Sequence, residues 1–344
     1  MLCYFISKKD LSILDIVEAS AYSITLNLDC SGKTKIDIAG KPLASDGDFL
    51  VLKDGKTTKF KGIIESISNS DGEIKHTISC LEMEQLFNRK IALLDVDLIR
   101  NTGIEDFIAN AIANDFSESG DAFVDLAYIQ CNVLTHTKIS AKPDNENGIF
   151  NLKTYIGNVK EKYGIFLEFE FTKDNLIINI SKKEQAAMQI DTMISDVATC
   201  TETYKVNALA KLNLIWKNTL TDKTTTRTFY LHPDRSTSEV DTNRIDGTIS
   251  TEYVEAETEE EMIEAARNHF KSNSYSHLIE ASILNGSKLY PAEELYAGHE
   301  IDIKTAAAGI QRSIISEISF TDDADVIAVK FGILKVSLTS KLKN

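Results

Sequence analysis

GKPLASDGDFLVLKDGKTTKFKGIIESI, residues Gly40 to Ile67, reads as two strands around a tight turn. Phe49 to Leu52 is an unbroken apolar run, Asp54-Gly55 is a pair that favours hairpin turns at positive φ, and Phe60 and Ile63 resume the strand pattern. The same period of two extends outward. Ile24, Leu26 and Leu28 alternate with polar residues upstream, followed by Ile36 and Ile38; Ile78 and Cys80 follow downstream. Turns are expected at Ser31-Gly32, Asp46-Gly47 and Asp71-Gly72. Many short strands at this spacing predict a small barrel or sandwich.

Near Leu93 the pattern changes. Thr102 and Glu105 have capping-box spacing, and Ile104, Phe107, Ile108 and Ile112 recur at helical intervals, which predicts a helix to about Asp115. Leu152, Tyr155, Ile156, Val159 and Tyr163 make a second apolar stripe, closed by Gly164 where a left-handed cap belongs. Ile165 to Phe171 and Leu176 to Ile180 then predict a hairpin around Lys173-Asp174-Asn175.

From about Thr201, a strand over Val206 to Trp216, a turn over Asn218 to Lys223 and a returning strand over Thr224 to Leu231 are expected. Asp234 to Tyr253 reads as polar and irregular. Thr258 and Glu261 form a capping box for a helix to about Phe270, and strands resume at His277 to Leu284, Glu300 to Lys304, Arg312 to Phe320 and Asp325 to Phe331. Ile63, Ile64, Ile67, Ile78 and Cys80 echo Ile314, Ile315, Ile318, Val329 and Phe331 at a constant separation of 251, with turns at Asp71-Gly72 and Asp322-Asp323. The first and last regions are therefore expected to share a fold.

At 344 residues, with 43% hydrophobic and 26% charged residues, the chain suits two or three packed domains. Its apolar runs fall far short of the ~18 residues of a membrane span, and Lys8, Lys9 and Asp10 follow the apolar start rather than precede it, so a soluble protein without an export signal is expected. Cys3, Cys30, Cys80, Cys131 and Cys200 lie far apart, are odd in number, and show neither a disulfide framework nor a metal knuckle; they read as small buried hydrophobes in a reducing compartment. A net charge of −15 disfavours specific nucleic-acid binding.

Motifs of chemistry are missing. GxGxxG, P-loop, HExxH and GxSxG patterns do not occur. His76, His136, His232, His269, His277 and His299 are scattered, and His76 and Cys80, four residues apart on a strand, stand roughly 13 Å apart, too far for one metal. His232-Pro233-Asp234-Arg235 reads as a strand terminus, because Pro233 cannot continue a ladder. With 52 acidic residues, no carboxylate pair stands out. Glu259, Glu260 and Glu261 complement a helix dipole, and Met83, Leu86 and Phe87 read as core. No catalytic, cofactor-binding or metal-binding residue is nominated, and no cofactor is expected.

Three stretches carry a resemblance to the hub family of phage and prophage tails: Gly40 to Ile67, quoted above; TTTRTFYLHP, Thr224 to Pro233, with the acidic helix of Glu255 to Phe270 after it; and GHEIDIKTAAAGIQRSIISEISFTDDADVIAVKFG, Gly298 to Gly332. The resemblance covers nearly the whole chain through loose strand-and-turn patterns. It implies a β-rich α+β chain of two similar small β-barrel domains with an α+β domain between them: 1–92, 93–200, and 201–344 with an inserted loop and helix at about 234–272. It also implies a non-enzymatic homotrimer in the virion tail, assembled in the host cytoplasm, that joins a sixfold tail tube to a threefold tip and lets DNA pass without binding it. Its expected neighbours are distal tail or tail tube proteins, a tape measure protein, and spike or fibre proteins; stable membrane insertion is not expected. Two other classes compete: a β-rich cell-surface or carbohydrate-binding module using Trp216, Tyr230 and Tyr253, and an enzyme with dispersed carboxylates such as a peptidoglycan hydrolase.

Overall fold

The computed structural model describes residues 1–69, 74–93, 103–120, 125–139, 143, 148–184, 187–204, 209–232, 236–273, 277–322 and 324–332. The chain is β-rich. It divides into two compact units, Met1–Glu184 with Ser319–Asp325, and Gln185–Ile318 with Val326–Asn344.

The first unit contains β1 (Leu2–Ile6), β2 (Ile13–Asn27), β3 (Lys33–Ala39), β4 (Phe49–Asp54), β5 (Thr57–Asn69), β6 (Lys75–Glu82) and β7 (Lys90–Ala92), then α1 (Ile104–Ile112), β8 (Ile129–Val133), β9 (Ile149–Asn151), α2 (Leu152–Tyr163), β10 (Ile165–Phe171) and β11 (Leu176–Lys182). The first six strands pair antiparallel in the order β1-β4-β5-β6-β3-β2, and β2 pairs back onto β1, so the ladder closes on itself. The run Phe49 to Leu52 is apolar at every position because β4 is covered on both faces. Leu50 and Leu52 join Phe5, Ile24, Ile36, Ile38, Ile64 and Ile78 inside the ring. Phe49 and Val51 point the other way, into a second core with Phe87, Phe107, Phe116, Tyr155 and Phe169. A half-exposed strand would alternate; this one cannot without exposing or burying the wrong residues.

The second core lies under α1, α2 and the sheet β10-β11-β8. Phe107 meets the Tyr155 ring edge-on at 5.1 Å, and Phe87 meets Phe116 likewise at 5.2 Å, a geometry aromatic quadrupoles favour. Helix α2 begins with the Asn151 side chain accepting from Thr154 N and ends at Gly164 with φ 66°, as the sequence predicts. The start of α1 differs from expectation. Thr102 lies outside the described residues, the cap is Gly103, and Glu105 is wholly buried. Its carboxylate accepts from Thr135 Oγ1, Thr137 N and Thr137 Oγ1 at 2.7–2.8 Å, so it ties α1 to the segment after β8.

The second unit contains β12 (Gln189–Asp191), β13 (Val197–Tyr204), β14 (Leu209–Asn218), β15 (Lys223–Leu231), β16 (Thr237–Ser238), β17 (Thr248–Ala256), α3 (Glu259–Asn273), β18 (His277–Leu284), β19 (Glu300–Thr305), β20 (Gly309–Thr321, its last three residues counted with the first unit) and β21 (Val326–Phe331). Strands β14 to β17 form a sheet in the order β16-β15-β14-β17. Leu212, Leu214, Phe229, Leu231 and Val254 of that sheet pack against Met262, Ala266 and Phe270 of α3. The capping box forms as expected: Thr258 Oγ1 accepts from Glu261 N at 3.2 Å, and Glu261 Oε2 accepts from Glu257 N and Thr258 N. The expectation of an irregular 234–253 is corrected by β16 and β17. Strand β17 lies parallel to β14, with Val254 and Ala256 buried while Ile249 and Tyr253 are exposed, so its own sequence carries few apolar signals. Strands β1 and β13 likewise escaped the sequence reading.

The remaining strands repeat the pairing order of the first six, without a pairing of β13 back onto β12 among the described residues. Their order, β12-β19-β20-β21-β18-β13, matches β1-β4-β5-β6-β3-β2 strand for strand. Register agrees as well: Phe49 faces Ile63 and Glu300 faces Ile314, both 251 residues on. Gly47 N donates to Ile64 O at 2.8 Å and Gly298 N to Ile315 O at 2.7 Å; Ile64 N donates to Asp48 O and Ile315 N to His299 O, each at 2.8 Å. The correspondence fails at one strand. β1 is antiparallel to β4, whereas β12, only three residues long, is parallel to β19. The turns predicted at Asp71-Gly72 and Asp322-Asp323 fall wholly or partly outside the described residues.

A buried cysteine, lysine and glutamate cluster and the exposed faces

The turn after β2 bends tightly because its backbone is held from three sides. Asn27 Oδ1 accepts from Ser31 N at 2.7 Å, Gln85 Nε2 donates to Cys30 O at 2.6 Å, and Glu82 Oε1 accepts from Asn27 N at 3.2 Å and Gly32 N at 2.8 Å. Gly32 is required by close approach, since a Cβ there would stand 2.2 Å from Thr25 O and 2.8 Å from Glu82 Oε1. Helix α2 reaches the same turn through Lys160, whose Nζ lies 3.4 Å from Asn27 O and 3.7 Å from Cys30 Sγ.

The result is a charge cluster out of water. Cys30 is 0%, Glu82 5% and Lys160 7% exposed. Ligand atoms of Cys30, Glu82 and Glu84 lie within 4.8 Å of one another. Burial pushes the Glu82 carboxyl up to about 7, with Lys160 pulling it down less strongly, and burial holds the Cys30 thiol well above its usual range. Burial alone would lower Lys160, yet Cys30, Glu84 and Glu82 together keep its ammonium charged beyond the ordinary lysine range. The trio has the ligand types of a metal site, but a fixed ammonium already fills the cationic role and the thiol is held protonated, so these residues fit a metal poorly. Sequence reasoning missed the cluster because Cys30, Glu82 and Lys160 are far apart in the chain and sit in no motif.

The histidines do not converge into one site among the described residues. His76 Nδ1 lies 3.2 Å from Ile74 O while Cys80 faces the ring interior. His136 pairs with Asp106 at 2.7 Å, His232 spans Asn243 O and Ser238 Oγ, His269 lies 3.4 Å from Glu252, His277 meets Ser313 Oγ at 2.8 Å inside the fold, and His299 stacks on Tyr296 at 4.7 Å. His232 follows the end of β15 directly, as expected of a strand terminus; residues 233–235 lie outside the described set. Met83 and Phe87 are core, as expected, and Glu259–Glu261 occupy the first turn of α3.

The aromatic trio of the carbohydrate reading does not form a platform. Trp216 packs with the α3 core and its Nε1 donates to Ala256 O at 3.1 Å. Tyr230 lies under Lys211 Nζ at 5.8 Å, and Tyr253 donates to Glu255 at 3.0 Å on an exposed face. No described helix is long and apolar enough to cross a membrane.

No family model and no curated protein sequence matches the chain. Solved structures do: the chain has the fold of phage and prophage tail proteins. A tail protein from Neisseria meningitidis aligns with TM-score 0.56 at 9% identity, covering 96% of both chains. A prophage tail protein from Listeria monocytogenes gives TM-score 0.56 at 9% identity over 99% of this chain and 97% of its own. The 43 kDa prophage tail protein from Shewanella oneidensis gives 0.53 at 15% identity over 96% and 98%.

Proposed function

We propose that the chain is a structural, non-enzymatic component of a phage or prophage tail tip, in which three copies form a hub ring. One observation carries this reading: likeness to tail proteins runs over nearly the full length of both chains, so the whole architecture is shared rather than one module. The repeated pairing order supports two similar small barrels per chain, close to 1–92 and 201–344, around an α+β region near 93–200; the pairing of β12 with β19 favours drawing the second barrel to include 189–191. Three such chains present six related barrels, which suits a joint between a sixfold tube and a threefold tip.

In this reading the ring sits in the virion tail after assembly in the host cytoplasm. Its neighbours are distal tail or tail tube proteins, a tape measure protein, and spike or fibre proteins. The net charge of −15 supports a lumen that passes DNA without retaining it.

Light scattering over a concentration series, with negative-stain images of the same sample, tests the reading. A threefold ring with a central hole is expected. A monomer at every concentration, with no ring when neighbouring tail proteins are added, would sink the hub.

A further inference from the structure

We infer that Cys30 and Lys160 form an oxidative cross-linking site, in which one oxygen atom comes to bridge Cys30 Sγ and Lys160 Nζ. The two atoms are 3.7 Å apart, on residues separated by 130 positions, and both side chains are held by their surroundings rather than left to sample many rotamers. Among the described residues, Cys30 is the cysteine whose sulfur takes a lysine hydrogen bond. The gap favours an inserted oxygen over a direct sulfur–nitrogen bond, because closing to a direct bond requires a larger shift of a packed helix against the turn.

The surroundings supply the proton handling. Lys160 must lose a proton before its nitrogen can react, and Glu82, whose carboxyl shares the cluster with the sulfur, is a nearby acceptor. Lys160 holds its proton more tightly than Glu82 would, and the Cys30 thiol is held protonated, so the link is expected to form faster as the pH of the peroxide treatment is raised. The oxidant class is a hydroperoxide. A first hydrogen peroxide converts the thiol to a sulfenic acid and leaves as water, sulfur losing two electrons. A second takes two electrons from nitrogen: the sulfenic O–H and one amine N–H are lost, the N–O bond forms, and two waters leave. The net change is a thiol, an amine and two peroxides becoming an S–O–N link and three waters. The bridge would fasten α2 to the turn after β2 once the protein leaves a reducing compartment.

The full-length folded protein is treated with hydrogen peroxide, then denatured, digested and analysed by mass spectrometry. The expected product joins the Cys30 and Lys160 peptides, heavier than their sum by one oxygen and lighter by two hydrogens, and dithiothreitol separates it into a free thiol and an unmodified lysine. Lys160→Arg, which keeps the cation without a primary amine, and Cys30→Ser are each expected to abolish the product, with circular dichroism reporting folding. Recovery of Cys30 as thiol or sulfinic acid beside unmodified Lys160 in the treated wild-type protein overturns the inference. A linked pair lacking the added oxygen overturns the oxygen bridge.

Discussion

Glu82 is the residue on which the acid–base behaviour of the first unit turns. Its carboxyl is raised from 4.5 to about 7, so the folded state binds a proton there that the unfolded state releases earlier. Its contribution is fully present below 4.5 and is lost as pH rises through 7, the reverse of an ordinary salt-bridged carboxylate. Glu82→Gln keeps an acceptor for Asn27 N and Gly32 N while removing the titration. The wild-type minus variant stability, from denaturant unfolding at a series of pH values, is expected to fall between about 4.5 and 7 by a few kcal/mol at most; parallel curves would show that Glu82 does not titrate in that window. Gly32→Ala is expected to cost about 1–3 kcal/mol, because the new Cβ collides with Thr25 O and the Glu82 carboxylate. An unchanged unfolding midpoint would mean the turn has room that the backbone does not indicate.

Single elements differ in how much of their environment they announce. Helix α3 carries its own start signal, and Thr258→Ala is expected to cost about 1 kcal/mol in denaturant unfolding, the usual value of a lost cap. Helix α1 is tied instead by a buried carboxylate. Glu105→Ala strands Thr137 N without its acceptor and is expected to cost more, about 1–3 kcal/mol by the same measurement, so an effect no larger than that of Thr258→Ala would overturn the tie. The strand at Phe49–Asp54 shows why an apolar run and an alternating run mean different things: one strand here serves two cores.

At the scale of the molecule, the repeated six-strand order accommodates a large excursion. β13 and β18 are paired neighbours, with Tyr204 opposite His277, so the chain leaves and re-enters at adjacent positions. Replacing residues 205–276 by an Asn-Gly turn is therefore expected to leave a soluble, β-rich protein, since that dipeptide joins antiparallel strands directly. Circular dichroism and size exclusion check this, and aggregation of every such variant would show that the sheet under α3 is indispensable to the rest. The alternation of Ile301, Ile303, Ile314, Ile327 and Val329, all buried, is what the shortened chain retains.

Sequence by itself determined the local elements that carry their own signals. The strands flanking Asp54-Gly55, the Gly164 cap, the Thr258–Glu261 box and the echo between Ile63 and Ile314 were legible because period, turn chemistry and capping act over a few residues. Strands β1, β13 and β17 were not, since neighbouring strands supply the hydrogen bonds and the buried face that hold them. Tertiary structure alone decided that Glu105 ties α1 to the segment after β8, and that Cys30, Glu82 and Lys160 meet. Their partners lie 30 to 133 residues away in the chain, and no local pattern records a contact made only when the fold closes and water is excluded.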